Sequence, residues 1–366
     1  MQEIHGEPSH QLATPEVDLH VTGRAGQMAP VVFHLPGRDV SPYSLSPWVP
    51  SEFPDQPALL SVLRGDFFCL PFGPQQDGPP HGDPANAAWS LEGSDERSLT
   101  LRQQAADSGA SIEKILSVRP GHHAVYLEHR ISGLAGDWSY GSHPILDASA
   151  AAPGSVRLSV SPFRWGSVYP GVFSDPDKGE RQMLCAGARF DELTSVPLAD
   201  GMGSADLTRF PHGGRADDLV MMVAEDPEPD RPFAWTAAVF GDFVWFCLKN
   251  PADFPATLFW LSDGGRDGAP WNGRHVGRIG LEEVCSHFSN DVDLSRQGLL
   301  AEDGIPTVRS FDPAEVVSLR LVQAVAEVPP NFGKVVSISP EGDGKVLLTG
   351  ENGGTVECSV DWSHVL

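Results

Sequence analysis

The sequence predicts an all-β protein, one large antiparallel β-sandwich made of many short strands. Three observations carry this. Thirty-eight Gly and 33 Pro interrupt the 366 residues every few positions, and helices of three turns have little room between such breakers. The segments between the breakers either alternate apolar with polar residues, the period of a pleated strand, or are apolar on both faces. No Pro/Gly/Ser linker with a changed composition divides the chain, and no repeat of about 20–50 residues is visible. Residues 1–366 therefore read as a single domain.

In chain order, residues 124–132 (AVYLEHRIS) and 155–161 (SVRLSVS) alternate and read as half-buried strands. Residues 219–224, 233–240 and 242–248 are strand-like too, and the last of these runs are apolar on both faces, as expected of strands covered by layers on each side. Residues 316–325, 334–339 and 345–349 continue the pattern. The best helical candidate, 312–315 (DPAE), reads as a turn entering a strand. The loosest region is 201–214, and strand-like sequence resumes directly after it. Residues 259–271 (FWLSDGGRDGAPW) read as a long loop beside a cleft, from which Asp263, Arg266 or Trp271 would reach a ligand.

The charge narrows the partners. Forty-nine acidic against 25 basic residues give a formal net charge of −24, which repels phosphate backbones and anionic lipid headgroups. Nucleic acid and membrane surfaces are thereby disfavoured, while a neutral polyol meets no such barrier. Five cysteines are scattered without a C-x-x-C spacing, as in a chain that keeps its thiols reduced. The stretch MQEIHGEPSHQLATPE lacks the basic and apolar regions of a secretory signal. No apolar run approaches the roughly 20 residues that span a bilayer. The expectation is a cytoplasmic protein, monomer or homodimer.

Function enters at residues 63–73 (LRGDFFCLPFG) followed by 81–89 (HGDPANAAW). This pair resembles the sugar-ring signature of the aldose 1-epimerase (galactose mutarotase-like) superfamily: an arginine after a strand, a Pro/Gly turn, then His-Gly-x-x-x-Asn-x-x-Trp. Arg64, His81, Gly82, Asn86 and Trp89 match; the arginine common just before the asparagine is Ala85 here. A second motif, in which His-Pro closes a strand, is matched by 140–146 (YGSHPIL) through His143, with Ile145 in place of the usual aromatic. A third, a carboxylate on an Ile-x-Leu-Glu strand, is matched by 278–284 (RIGLEEV) through Glu282; Glu283 would point to the opposite face, since strand side chains alternate. The resemblance runs from about residue 60 to about 325. It implies a galactose mutarotase-type supersandwich, an isomerase acting on a monosaccharide or sugar derivative, and no cofactor or metal.

The chemistry asks for these residue types. Exchanging anomers requires one group to take the proton of the anomeric hydroxyl while another protonates the ring oxygen. A glutamate desolvated in a cleft serves as base and a histidine as acid. The roles expected are Glu282 as base, His143 as acid at the ring oxygen, and His81 as a second hydrogen bond or alternate donor there. Arg64 and Asn86 would hold ring hydroxyls. Trp89, Trp260 or Trp271 would offer a flat apolar face. Arg266 would reach substrate from its loop. The resemblance places a sugar-binding acid at Asp217 or Asp218, with Asp218 taken as the candidate.

Other readings fit less well. His122, His123 and His129 cluster near the motif but form no zinc spacing. A glycoside hydrolase needs two carboxylates flanking the scissile bond, and the motifs offer one carboxylate with two histidines. No nucleophile elbow, P-loop or dinucleotide fingerprint is present. The main rival is a non-catalytic carbohydrate-binding or sensing protein on the same fold, which Ala85 would suit and in which Glu282 would be dispensable.

Overall fold

In the computed structural model, which describes residues 1–342 and 344–366, two antiparallel sheets face each other. The first has nine strands; at its centre Ala234–Val239, Phe243–Lys249, Val316–Glu327 and Ala124–Ser132 lie side by side. The second has eight, and its middle runs Asp217–Ala224, Ala256–Ser262, Arg278–Cys285, Tyr140–Ser142. This is the all-β sandwich expected. Helix is limited to short pieces such as Ala58–Ser61 and Val292–Arg296, and no described helix is long and apolar enough to cross a membrane.

Strand alternation sorts the side chains into three apolar layers. Between the sheets lie Leu127, Leu319 and Leu321 from one side and Phe259, Ile279 and Leu281 from the other. The outer face of the nine-stranded sheet, with Tyr126, Phe246 and Val322, is covered by a C-terminal sheet of Val335–Pro340, Lys345–Gly350 and Thr355–Ser359 through Ile338, Val346 and Leu348. The outer face of the eight-stranded sheet carries Leu219, Leu258, Trp260 and Val284, which meet Leu59 and Trp271 from the loops. Each fully buried side chain of this size contributes about 1.5–3 kcal/mol. The third layer holds the cleft.

The expected strands form, with ends shifted by a few residues. Strands at the N-terminus were not visible in the sequence: Gln2–Ile4, Glu7–Ala13, Val17–Thr22, Met28–Leu35 and Arg38–Val40 make a five-stranded meander. In Glu7–Ala13 the inward positions include Glu7 and Ser9, so hydropathy does not report the alternation. The loop expected at 259–271 starts later. Residues through Ser262 belong to the buried strand Ala256–Ser262, flanked by a strand on each side, and only the remainder is loop.

One polar cluster is sealed between the sheets. Glu283, on the inner face as its alternation requires, accepts hydrogen bonds from Thr236 Oγ1 at 2.5 Å and Thr257 Oγ1 at 2.7 Å. Lys249 Nζ lies 2.5 Å from its Oε2 and donates to the Ala256 carbonyl. With Thr257 Oγ1 as its third partner, Lys249 Nζ has every donor engaged and both Glu283 oxygens accept, which is what makes a buried ion pair tolerable.

Candidate active site

Glu282 and His143 arrive from neighbouring strands. Glu282 sits on the outer face of Arg278–Cys285, and His143 follows Tyr140–Ser142, which pairs with that strand. Glu282 Oε1 is 3.2 Å from His143 Nε2. Gly280 leaves the space for the carboxyl group, because a Cβ there would stand 2.5 Å from Glu282 Oε1. His143 is fixed from behind by Asp66, whose Oδ1 accepts from the His143 backbone N–H at 3.0 Å and from Ser142 Oγ at 2.7 Å. Gln323 Nε2 donates to Asp66 Oδ2 at 3.0 Å and Tyr43 OH donates to Gln323 Oε1. Asp66 thus orients His143 without facing the cleft. The His143 ring also stacks on Phe67, with centroids 4.6 Å apart.

His81 completes the group, its ring centroid 5.4 Å from that of His143 and nearly perpendicular to it. Its backbone has φ of +62°, the left-handed region that costs a residue with a Cβ. A reciprocal clamp holds it there: His81 N–H donates to the Gly73 carbonyl at 2.7 Å, and Gly73 N–H donates to His81 Nδ1 at 3.1 Å. Since Nδ1 is an acceptor, neutral His81 carries its proton on Nε2. Gly82 is required next to it, because φ is +72° and a Cβ would lie 2.0 Å from the Leu70 carbonyl oxygen.

These three side chains line a cavity of about 360 Å³. Its remaining wall is mostly apolar, with Leu59, Leu63, Phe67, Phe173, Trp260 and Trp271 prominent. Desolvation sets the charge states. Burial, with Glu283 adding repulsion, raises Glu282 well above the usual carboxylate range. Burial, with smaller repulsion from His81, lowers His143 well below an ordinary histidine, and burial lowers His81 to about 4. The resting group is therefore neutral, and Glu282 and His143 hold one proton between them.

Of the expected contacts, Arg266 and Trp271 reach the cavity, and Trp260 serves as an aromatic wall. Four others do not. Arg64 is fully buried and donates to the carbonyls of Val62, Ile4 and His5, so it ties the N-terminal strands down instead of holding a ring hydroxyl. Asn86 is consumed by its own loop: Nδ2 donates to Pro80 and Gly82 carbonyls and Oδ1 accepts from Leu59 N–H. Trp89 is core, with Nε1 donating to the Pro84 carbonyl at 2.9 Å. Asp218 faces inward and accepts from the Met183 and Leu184 N–H groups; its neighbour Asp217, by alternation, lies on the cleft side beneath Arg266. Asp263 is likewise spent, on Gly213 and Gly277 N–H groups. The histidines weighed as a metal site are apart in role: His122 meets Tyr126 OH, His123 meets the His34 carbonyl, and His129 stacks on Phe68 inside the sandwich.

Asp66 as the support of His143 and Gly280 as the space beneath Glu282 were missed in the sequence. The only trace of the second was the glycine inside the apolar strand 278–284.

No family model matches the chain, and no curated protein does. Solved structures do match across most of it. A galactose mutarotase related enzyme from Lactobacillus acidophilus aligns with TM-score 0.55 at 9% identity, over 87% of this chain and 97% of its own. The fold is galactose mutarotase-like. A galactose mutarotase-like protein from Lactobacillus casei aligns with TM-score 0.56 at 12% identity, over 87% of this chain and 100% of its own. An aldose epimerase homologue from C. elegans gives 0.56 at 12%, over 88% and 100%. At these identities the mutarotase-like fold is what is shared, and the site's chemistry has to be argued from its own residues.

Proposed function

We propose that the protein is an aldose 1-epimerase-like isomerase that interconverts the anomers of a sugar derivative. The observation that carries this reading is the 3.2 Å contact of Glu282 and His143 inside a cavity of sugar size. The two oxygens of a hemiacetal that must exchange protons are bonded to one carbon, and these two side-chain atoms lie close enough to address both. Because burial raises Glu282 and lowers His143, the roles expected from the motif are reversed in this cycle: with the shared proton on Glu282, the acid gives it to the ring oxygen while His143 Nε2 takes the anomeric proton. The C1–ring oxygen bond breaks and an aldehyde forms. After rotation about C1–C2, each proton returns along its path, the bond re-forms on the other face, and the pair is restored. Starting from the tautomer with the proton on His143, the same cycle runs with the roles exchanged. In this reading His81 donates through its Nε2–H to the oxygen that gains negative charge. General acid and base groups of this kind contribute on the order of 10²–10⁴-fold.

The test is the approach of freshly dissolved α-anomers to equilibrium, followed by NMR for a panel of aldoses and acidic aldoses. The expected result is acceleration for at least one sugar by the wild type and its loss in Glu282→Gln.

A second reading, a carbohydrate-binding protein without catalysis, is favoured by one observation. Arg64 and Asn86 are spent on main-chain groups, which leaves few donors for ring hydroxyls. It expects sugar binding that survives Glu282→Gln and no acceleration.

A further inference from the structure

Arg266 is the one cationic side chain among the described residues that line the cavity. Its guanidinium carbon lies 4.6 Å from the centre of the Phe173 ring, 5.4 Å from Trp271 and 5.7 Å from Trp260. The guanidinium makes no hydrogen bond to any described residue. Its Nε is buried without a partner, and the nearest carboxylate oxygen, Asp217 Oδ2, is 3.6 Å away, beyond hydrogen-bond range. Asp217 is itself occupied by Ser262 Oγ at 2.8 Å and Gly265 N–H at 2.8 Å. An arginine held against aromatic rings with its Nε buried and unbonded is costly unless something else supplies an acceptor.

The spacing says where those acceptors belong. Trp260 adjoins both the acid–base pair and the arginine: its ring centroid is 5.8 Å from that of His143 and 5.7 Å from the Arg266 guanidinium. The two functional ends are therefore separated by no more than these distances laid end to end, and a single sugar with a substituent at its far end bridges them. The wall between them is apolar, so a charge–charge contact at Arg266 is little screened.

We infer, building on the epimerase reading above, that Arg266 is an oxyanion subsite and that the substrate is an aldose bearing an acidic group, a carboxylate or a phosphate, away from its anomeric carbon. The planar guanidinium fork receives two oxygens of that group, while the anomeric centre meets Glu282 and His143.

The test separates the subsite from the reaction. Methyl glycosides cannot ring-open, so binding of methyl glucoside, its 6-phosphate and its uronate is measured by calorimetry for the wild type, Arg266→Gln and Arg266→Lys. The expected result is tighter binding of at least one acidic glycoside than of the neutral one, falling with added salt. Arg266→Gln should weaken that acidic glycoside about 10- to 100-fold and leave the neutral one within about twofold, with Arg266→Lys in between. Preference for the phosphate or for the uronate identifies the group. Anomerisation of the free acidic sugars then reports on the reaction: binding that depends on Arg266 without acceleration keeps the subsite and removes the epimerase reading. Equal binding of acidic and neutral glycosides, equal loss of both in Arg266→Gln with Arg266→Lys no better, or no binding of either, overturns the subsite. Acceleration of a neutral aldose with none for either acidic aldose would overturn it while leaving the epimerase reading standing.

Discussion

Gly280 makes the room that Glu282 fills: a Cβ on residue 280 would lie 2.5 Å from Glu282 Oε1 and 3.1 Å from Trp260 Cβ. The two residues are on the same face of one strand, and Gly280 pairs across to Trp260. Gly280→Ala should therefore push the carboxyl group away from His143. The expected outcome is a fall in anomerisation rate of about tenfold or more, with a stability loss of about 1–3 kcal/mol from overpacking. Steady-state rates beside urea unfolding check it; an unchanged rate would detach Glu282 from the reaction.

Burial raises Glu282 above its ordinary value of 4.5, and the sign of the consequence follows. The folded chain holds this proton more tightly than the unfolded chain, so its contribution to stability is complete below pH 4.5 and is lost as pH rises toward the raised folded value. Glu282→Gln removes that loss. The variant should melt about 2 °C or more above wild type at pH 7.5 and by a smaller margin at pH 5. Thermal scans of both proteins at the two pH values measure it, and the same variant should be inactive.

His81 should remain neutral across the physiological range, because burial lowers it to about 4 and Gly73 N–H occupies Nδ1. Nitrogen NMR of the ring should show the Nε2–H tautomer with no titration above about pH 5. His81→Asn keeps a residue that tolerates positive φ but loses the reach, and should lower the rate about 10²-fold while the fold persists.

The Lys249–Glu283 pair is sealed between the sheets, with both side chains almost wholly inaccessible. Lys249→Met leaves Glu283 as an unpaired buried charge and should destabilise the protein by about 3–5 kcal/mol. The double variant Lys249→Met, Glu283→Gln should recover most of this in urea unfolding, since no charge is then stranded.

The strand pattern was legible because alternation is a local property: residues 155–161 carry it in seven consecutive positions and contain the strand Val156–Val160. The same rule separated Glu282 from Glu283, one on the cleft face and one against Lys249. The N-terminal meander was hidden because inward Glu7 and Ser9 break the hydropathy signal. His81, His143 and Glu282 were named from spacing and resemblance, and they line one cavity.

What the amino-acid order determined by itself was the strand period of the alternating segments, the scarcity of helix and the opposite facing of Glu282 and Glu283. Tertiary structure decided which polar groups remain free. Arg64 and Asn86 carry the expected motif, yet Arg64 donates to carbonyls at residues 4 and 5, about sixty positions away in the chain, and Asn86 to those of its own loop. Arg266, in a loop with no motif, keeps its donors because aromatic rings surround it. A side chain's hydrogen-bonding capacity is written in its type, but whether the folded chain consumes that capacity depends on which backbone groups long-range packing brings within about 3 Å.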